Sequence, residues 1–377
     1  MSGIYIHIPF CRQACHYCNF HFSTSRGLEN EFIASLLAEI PLQQGFLADQ
    51  RVETVYFGGG TPSLLDGASL NRIIGALREN FSISPDAEFT LEANPDDINE
   101  SSLQTWKAAG INRLSIGIQS FYEEDLQWMN RAHTASQAIT NLELALEYFP
   151  NITIDLIYGS PGLTDEKWAS NVQRVISMGI PHISCYALTV EPKTALESLI
   201  RTHKREPVSP EDQARQFLLL MDWLKAAGYE HYEISNFALP GKRSKHNSAY
   251  WEGKKYLGLG PSAHSYDGAN RQWNIANNAL YIQALKKGTV PFEQEILTPV
   301  QRLNEYIMTS LRTMEGMDLG IVSRLSDADT ASQLRRFSER LIREGLMREE
   351  QDRLILTNEG KLFADGIASD LFRDEPE

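Results

Sequence analysis

Cys11, Cys15 and Cys18 lie in the stretch Tyr5-Ile-His-Ile-Pro-Phe-Cys-Arg-Gln-Ala-Cys-His-Tyr-Cys-Asn-Phe20, a C-x3-C-x2-C loop directly behind a short apolar run. Thiolates this crowded suit an iron–sulfur cluster. A four-iron cubane held by three cysteines keeps one iron open to a small molecule, and in radical chemistry that molecule is S-adenosylmethionine. The competing readings are weaker. A disulfide framework sits badly with four cysteines in 377 residues and with no secretory n-region or apolar h-region after Met1-Ser2-Gly3. Zinc usually takes a fourth Cys or His at a familiar spacing, which His16 and His21 do not supply. Cys185 stands alone late in a strand-like run and reads as core.

Gly58-Gly59-Gly60-Thr61-Pro62 closes the next apolar run. Such glycines let backbone amides approach a ligand, and Thr61 adds a hydroxyl; a plain tight turn uses the same residues. It is neither a Walker loop nor a dinucleotide fingerprint, lacking the Lys and the glycine spacing. Beside the cysteine loop, a ligand cradle is the better reading.

The elements that must position these groups alternate along the chain. Apolar runs at 4–8, 52–57, 88–93, 113–118, 152–157 and 182–186 read as strands, with helical periodicity between them, such as Phe32, Ile33, Leu36, Leu37 and Ile40 in a helix expected over 29–46. Alternation at this pitch predicts parallel strands joined by right-handed crossovers. Chemistry in such folds gathers where strands end. The cysteine loop, the triple glycine, Glu92, Gln119 and Asp155 all fall at that edge, and so converge on one site.

Composition is that of an ordinary globular protein, with 42% hydrophobic and 22% charged residues. The net charge of -14, without a basic block, argues against nucleic acid as partner. No apolar stretch is long enough to span a bilayer. A cytoplasmic protein is expected, with peripheral contact to a membrane left open.

Past Thr298 the pattern changes. Leu303, Tyr306, Ile307 and Leu311 have helical spacing, as do Leu334, Phe337, Leu341 and Ile342; 346–348 and 354–356 read as a hairpin ahead of a last helix through Leu362, Phe363 and Ile367. Residues 201–209 read as a long polar loop.

Taken together, Tyr-x-His-x-Pro-Phe-Cys-x3-Cys-x-Tyr-Cys, Gly-Gly-Gly-Thr-Pro, Gly-Ile-Gln-Ser-Phe and Asp-Leu-Ile-Tyr-Gly-Ser-Pro-Gly resemble the radical S-adenosylmethionine family of the oxygen-independent coproporphyrinogen III dehydrogenase HemN and its relative HemW. The resemblance covers nearly the whole chain. HemN carries a further cysteine two positions beyond the third, where this chain has Phe20, and a long extension ahead of the first strand, which here starts at Ile4. Both departures match the HemW type, regarded as a haem chaperone without the dehydrogenase activity. His246-Asn247-Ser248-Ala249-Tyr250-Trp251 is similar to its H-N-x-x-Y-W signature.

The resemblance implies an α/β fold, a partial (βα)6 TIM-like radical SAM barrel with a small C-terminal winged-helix-like α+β domain. The units expected are a barrel core over 1–235, a connecting segment with the HNxxYW motif over 236–297 and the C-terminal domain over 298–377. It implies a 4Fe-4S cluster on Cys11, Cys15 and Cys18, and S-adenosylmethionine contacts at Tyr5, Tyr17, Gly59, Gly60, Thr61, Glu92, Gln119, Arg131 and Asp155. A second S-adenosylmethionine would share Tyr17, Gln119, Arg131 and Asp155. Haem is the implied cargo, with His246 as an axial ligand; a histidine bonded in a loop beside core aromatics is the alternative. The partners implied are haem-accepting proteins, membrane-bound respiratory enzymes among them, and a second copy of the chain as a homodimer. The rival function is coproporphyrinogen III dehydrogenation; catalytic residues stay unassigned.

Overall fold

A computed structural model describes residues 2–48 and 50–374. Met1, Asp49 and residues 375–377 lie outside it, so the expected C-terminal unit is described as far as Asp374.

The six expected strands form as β1 (Ser2–Ile8), β2 (Val52–Gly59), β3 (Ile83–Ala93), β4 (Arg113–Gln119), β5 (Ile152–Tyr158) and β6 (His182–Ala187). They run parallel in chain order. Both faces are covered over most of their length: Ile4, Ile6 and Ile8 of β1 are buried, as are Ile152, Ile154 and Leu156 of β5. Helices between the strands supply the outer cover, for example Leu70, Ile73, Ile74 and Leu77 from the helix Gly67–Asn80, started by Asp66 accepting from the Ser69 amide. Cys185 is buried in β6, as expected.

The half-barrel does not close. β7 (Glu230–Glu233), at the sheet edge, pairs antiparallel with β8 (Asn236–Ala238), which pairs antiparallel with β6. At the other edge β9 (Lys255–Leu259) pairs parallel with β1 and leads antiparallel into β10 (His264–Tyr266), β11 (Asn270–Asn274) and β12 (Phe292–Ile296). Residues 236–296 thus extend one twelve-stranded sheet at both ends.

The second module has its own core, in which Leu303, Ile307, Met317, Leu334, Leu354 and Leu356 pack together. The hairpin of β14 (Met347–Glu350) and β15 (Arg353–Leu356) turns through Gln351 and Asp352, both at positive φ, the pair a tight I′-type turn requires. A two-residue strand, β13 (Met317–Asp318), completes its sheet. It was too short to leave a pattern in the sequence.

The helix expected over 29–46 ends at Leu42. Pro41 removes a donor in the last turn, and residues 43–48 continue as turns. That helix carries the tie between the sheet's two ends of sequence. Glu39, fully buried, accepts from the Gly260 amide at 2.8 Å, Asn274 Nδ2 at 2.6 Å and the Tyr281 hydroxyl at 2.6 Å. Burial raises its pKa, against the pull of these three donors. Glu39→Ala orphans three buried donors and is expected to lower unfolding free energy by about 3 kcal/mol in denaturant titrations. Glu39→Gln, which keeps an acceptor in place, should lose much less.

Candidate functional site

The loop after β1 folds back on its own strand: the Cys11 amide donates to Ser23 O at 3.0 Å, and the Ser23 amide to Pro9 O at 2.9 Å. It then docks on residues 128–131 beyond β4. The His16 amide donates to Met129 O at 3.1 Å, and Asn130 Nδ2 to Ala14 O at 2.7 Å. These bonds turn Cys11, Cys15 and Cys18 toward a cavity of about 370 Å3 over the strand ends. All three are half-buried, and none is in a disulfide. Among the described residues no group of three His, Cys, Asp or Glu side chains is drawn together as ligands of a single metal ion, while the three thiols are close enough for their charges to interact.

Burial raises the pKa of the Cys11 thiol and lifts that of Cys18 to about 11. The Thr61 hydroxyl donates to Cys11 Sγ at 3.4 Å, a bond that favours the thiolate there, and Arg131 Nη1 donates to Cys15 Sγ at 3.2 Å. Arg131 Nη2 donates to Asn94 Oδ1 and Gly117 O, both at 2.8 Å, and its Nη1 reaches the Tyr17 hydroxyl at 3.4 Å. Its Nε is buried with no partner. This is a cavity-lining cation, not a surface ion pair.

The triple glycine turns out to be needed for close approach. Gly59 has φ +106°, and a Cβ there would meet the His7 ring at 2.7 Å; a Cβ on Gly60 would meet Phe10 O at 2.7 Å and Ile8 O at 2.8 Å. The Gly60 amide donates to Ile8 O at 2.8 Å, so this turn fixes the point where the cysteine loop leaves the sheet.

The floor is acidic. Glu92 accepts from the Tyr56 hydroxyl at 2.8 Å, yet burial pushes its pKa up to about 7, with Asp155 contributing; burial likewise lifts Asp155 to about 6. Two carboxyls that hover near neutrality below a guanidinium are suited to a ligand carrying both a cation and a carboxylate.

Of the expected residues, Tyr17, Gly59, Gly60, Thr61, Glu92, Gln119, Arg131 and Asp155 line this one cavity with the three cysteines. Tyr5 lies behind the wall, stacked on Tyr56 at 6.1 Å with its hydroxyl bonded to His7. His246 is elsewhere. Its buried ring shares bonds with Thr54 Oγ1 at 2.8 Å and the Tyr250 hydroxyl at 2.9 Å, and stacks on Tyr56 at 5.0 Å. Neither nitrogen is free for an iron in this arrangement, which fits the bonded histidine beside core aromatics. Burial lowers its pKa to about 3, so the ring is neutral. Sequence reasoning missed Asn94, Ser115 and Tyr186 on the cavity wall. Their places at the carboxyl ends or on the inner face of β3, β4 and β6 were the available signal.

A partial (βα)6 barrel with three cysteines and a glycine turn over its strand ends defines a radical SAM protein, and residues 5–175 match the Radical SAM superfamily. The chain belongs to the HemW family. It is 36% identical to the protein named heme chaperone HemW of Mycobacterium tuberculosis over 98% of this chain and 94% of the relative, and 32% identical to that of Bacillus subtilis over 97% and 98%. Among solved structures it resembles coproporphyrinogen III oxidase (HemN) from Escherichia coli, with a TM-score of 0.84 and 26% identity over 98% of this chain and 90% of that one.

Gly60→Ala forces its methyl against two carbonyl oxygens. It should destabilise the protein by about 1–3 kcal/mol and speed amide exchange across residues 9–23. Unchanged exchange there would show that the loop does not depend on this approach.

Proposed function

We propose that this protein is a haem chaperone: it binds haem and passes it to haem-requiring acceptor proteins, with a 4Fe-4S cluster and S-adenosylmethionine in the cavity over the strand ends. The near full-length kinship with proteins named heme chaperone HemW carries this reading. Phe20 supports it, standing where HemN has a further cysteine and lying 66% exposed at the cavity's rim.

Cys11, Cys15 and Cys18 would hold the cluster, and the unpartnered Arg131 Nε and the glycine cradle fit a small charged guest beside it. When bound, the two supply one-electron reduction and reductive sulfonium cleavage. The chain's own part is binding and orientation. Arg131 suits the guest's carboxylate, Glu92 and Asp155 suit its ammonium or ribose hydroxyls, and Gly59, Gly60 and Thr61 offer backbone and hydroxyl contacts. Tyr17 and Gln119 flank the same space, while Tyr5 acts from behind Glu92. A second S-adenosylmethionine, as the family resemblance implies, would share Tyr17, Gln119, Arg131 and Asp155. Delivery to membrane-bound respiratory enzymes, and a homodimer, belong to this reading.

The structural likeness to HemN favours one rival, coproporphyrinogen III dehydrogenation. Anaerobically reconstituted protein titrated with haem, then given coproporphyrinogen III, S-adenosylmethionine and a reductant, separates the two. Stoichiometric haem binding without protoporphyrinogen is expected; sustained product would overturn the chaperone reading.

The floor carboxyls predict a pH dependence. Glu92 is neutral below about 7 and ionised above it, and a cationic ligand binds the ionised form better. S-adenosylmethionine affinity by calorimetry should therefore rise about tenfold between roughly pH 6 and pH 8. Glu92→Gln should bind more weakly and flatten that profile.

A further inference from the structure

A second, larger cavity of about 770 Å3 lies between the β9 to β11 edge of the sheet and the helix Pro299–Leu311 of the C-terminal module. Its sheet side is aromatic: Tyr250 meets Tyr256 edge to face at 4.6 Å, Tyr256 lies 6.3 Å from Tyr266, and Trp251 carries the Arg312 guanidinium over its ring at 5.5 Å. Its helix side presents Arg302, Tyr306 and Met308.

Charge and hydrogen-bonding capacity are both left over here. The acidic groups are matched: Glu305 by Arg271 and Glu315 by Arg243, each at 2.8 Å, and Glu252 by Lys254 at 2.5 Å. Arg302 has no carboxylate partner among the described residues and faces Tyr266. Two buried donors on the wall, Ser248 Oγ and Trp251 Nε1, also have no hydrogen-bond partner. A room of drug-sized volume with π faces on one side, a free guanidinium on the other and orphaned donors between suits a flat aromatic carboxylate.

We propose that this cleft is the haem site, an assignment that rests on the chaperone reading above and gives the cargo a place apart from the cofactor cavity. The ring system lies against Tyr250, Trp251 and Tyr256, and a propionate pairs with Arg302. No histidine lines the cleft among the described residues, and of the known kinds of haem ligand its wall offers tyrosine phenols and the Met308 thioether. His246 serves as a positioning residue. Its bond to the Tyr250 hydroxyl, its stack on Tyr56 and the Tyr56 bond to Glu92 make a continuous path from the haem cleft to the cofactor floor.

The test is an anaerobic haem titration of the cluster-loaded full chain, read by Soret absorbance, for wild type, Arg302→Lys, Arg302→Glu and Met308→Trp. Charge reversal and the bulky filler should each weaken haem about tenfold or more, with iron and sulfide content unchanged, while the lysine variant binds near wild type. Wild-type binding that neither Arg302→Glu nor Met308→Trp alters overturns the cleft and leaves the chaperone reading standing. Absence of haem binding by wild type overturns both.

Discussion

One guanidinium organises the candidate cofactor site. Arg131 reaches the cavity wall from the segment beyond β4, and a cation held there must find acceptors or be expelled. It finds Cys15, Asn94 at the end of β3, and Gly117 within β4, with Tyr17 alongside. The cysteine loop and two strand ends are thereby referenced to a single planar group. The remaining Nε, buried and unmatched, is the unsatisfied capacity that a ligand would complete.

The same rule recurs at a distance. Glu39 is a buried carboxylate whose three donors come from the chain after β9 and from the helix Asn278–Leu285, so it locks the late edge strands onto a helix near the amino terminus. With that edge fixed, the short helix Lys245–Trp251 sits across β1 and β2. His246 bonds Thr54 of β2 on one side and Tyr250 on the other. Polar groups in low dielectric act here as registration marks, because each can be satisfied in only one arrangement.

Two cavities of different character follow. The one over the strand ends is polar and acid-floored, with sulfur on its wall; the cleft against the C-terminal module is larger and aromatic. Tyr56, His246 and Tyr250 lie between them, so occupancy at one side has a packed route to the other.

Much of this was legible in the chain itself. Strand and helix identities follow from periodicity, which burial on both faces of β1 to β6 enforces, and the cysteine spacing and the triple glycine are local signals that need no partner to be read. The helix end at Leu42 and the two-residue β13 were not legible, since a proline's effect depends on what the next turn packs against and a strand that short has no period. For the site, sequence fixed which residue types face the strand ends but not their depth. Only tertiary packing showed Tyr5 behind the wall, Asn94 on it, and both His246 nitrogens already taken. The reason is physical: spacing along the chain sets direction and chemistry, whereas burial and hydrogen-bond saturation are set by groups from Thr54 to Tyr250 that meet only once the sheet has formed.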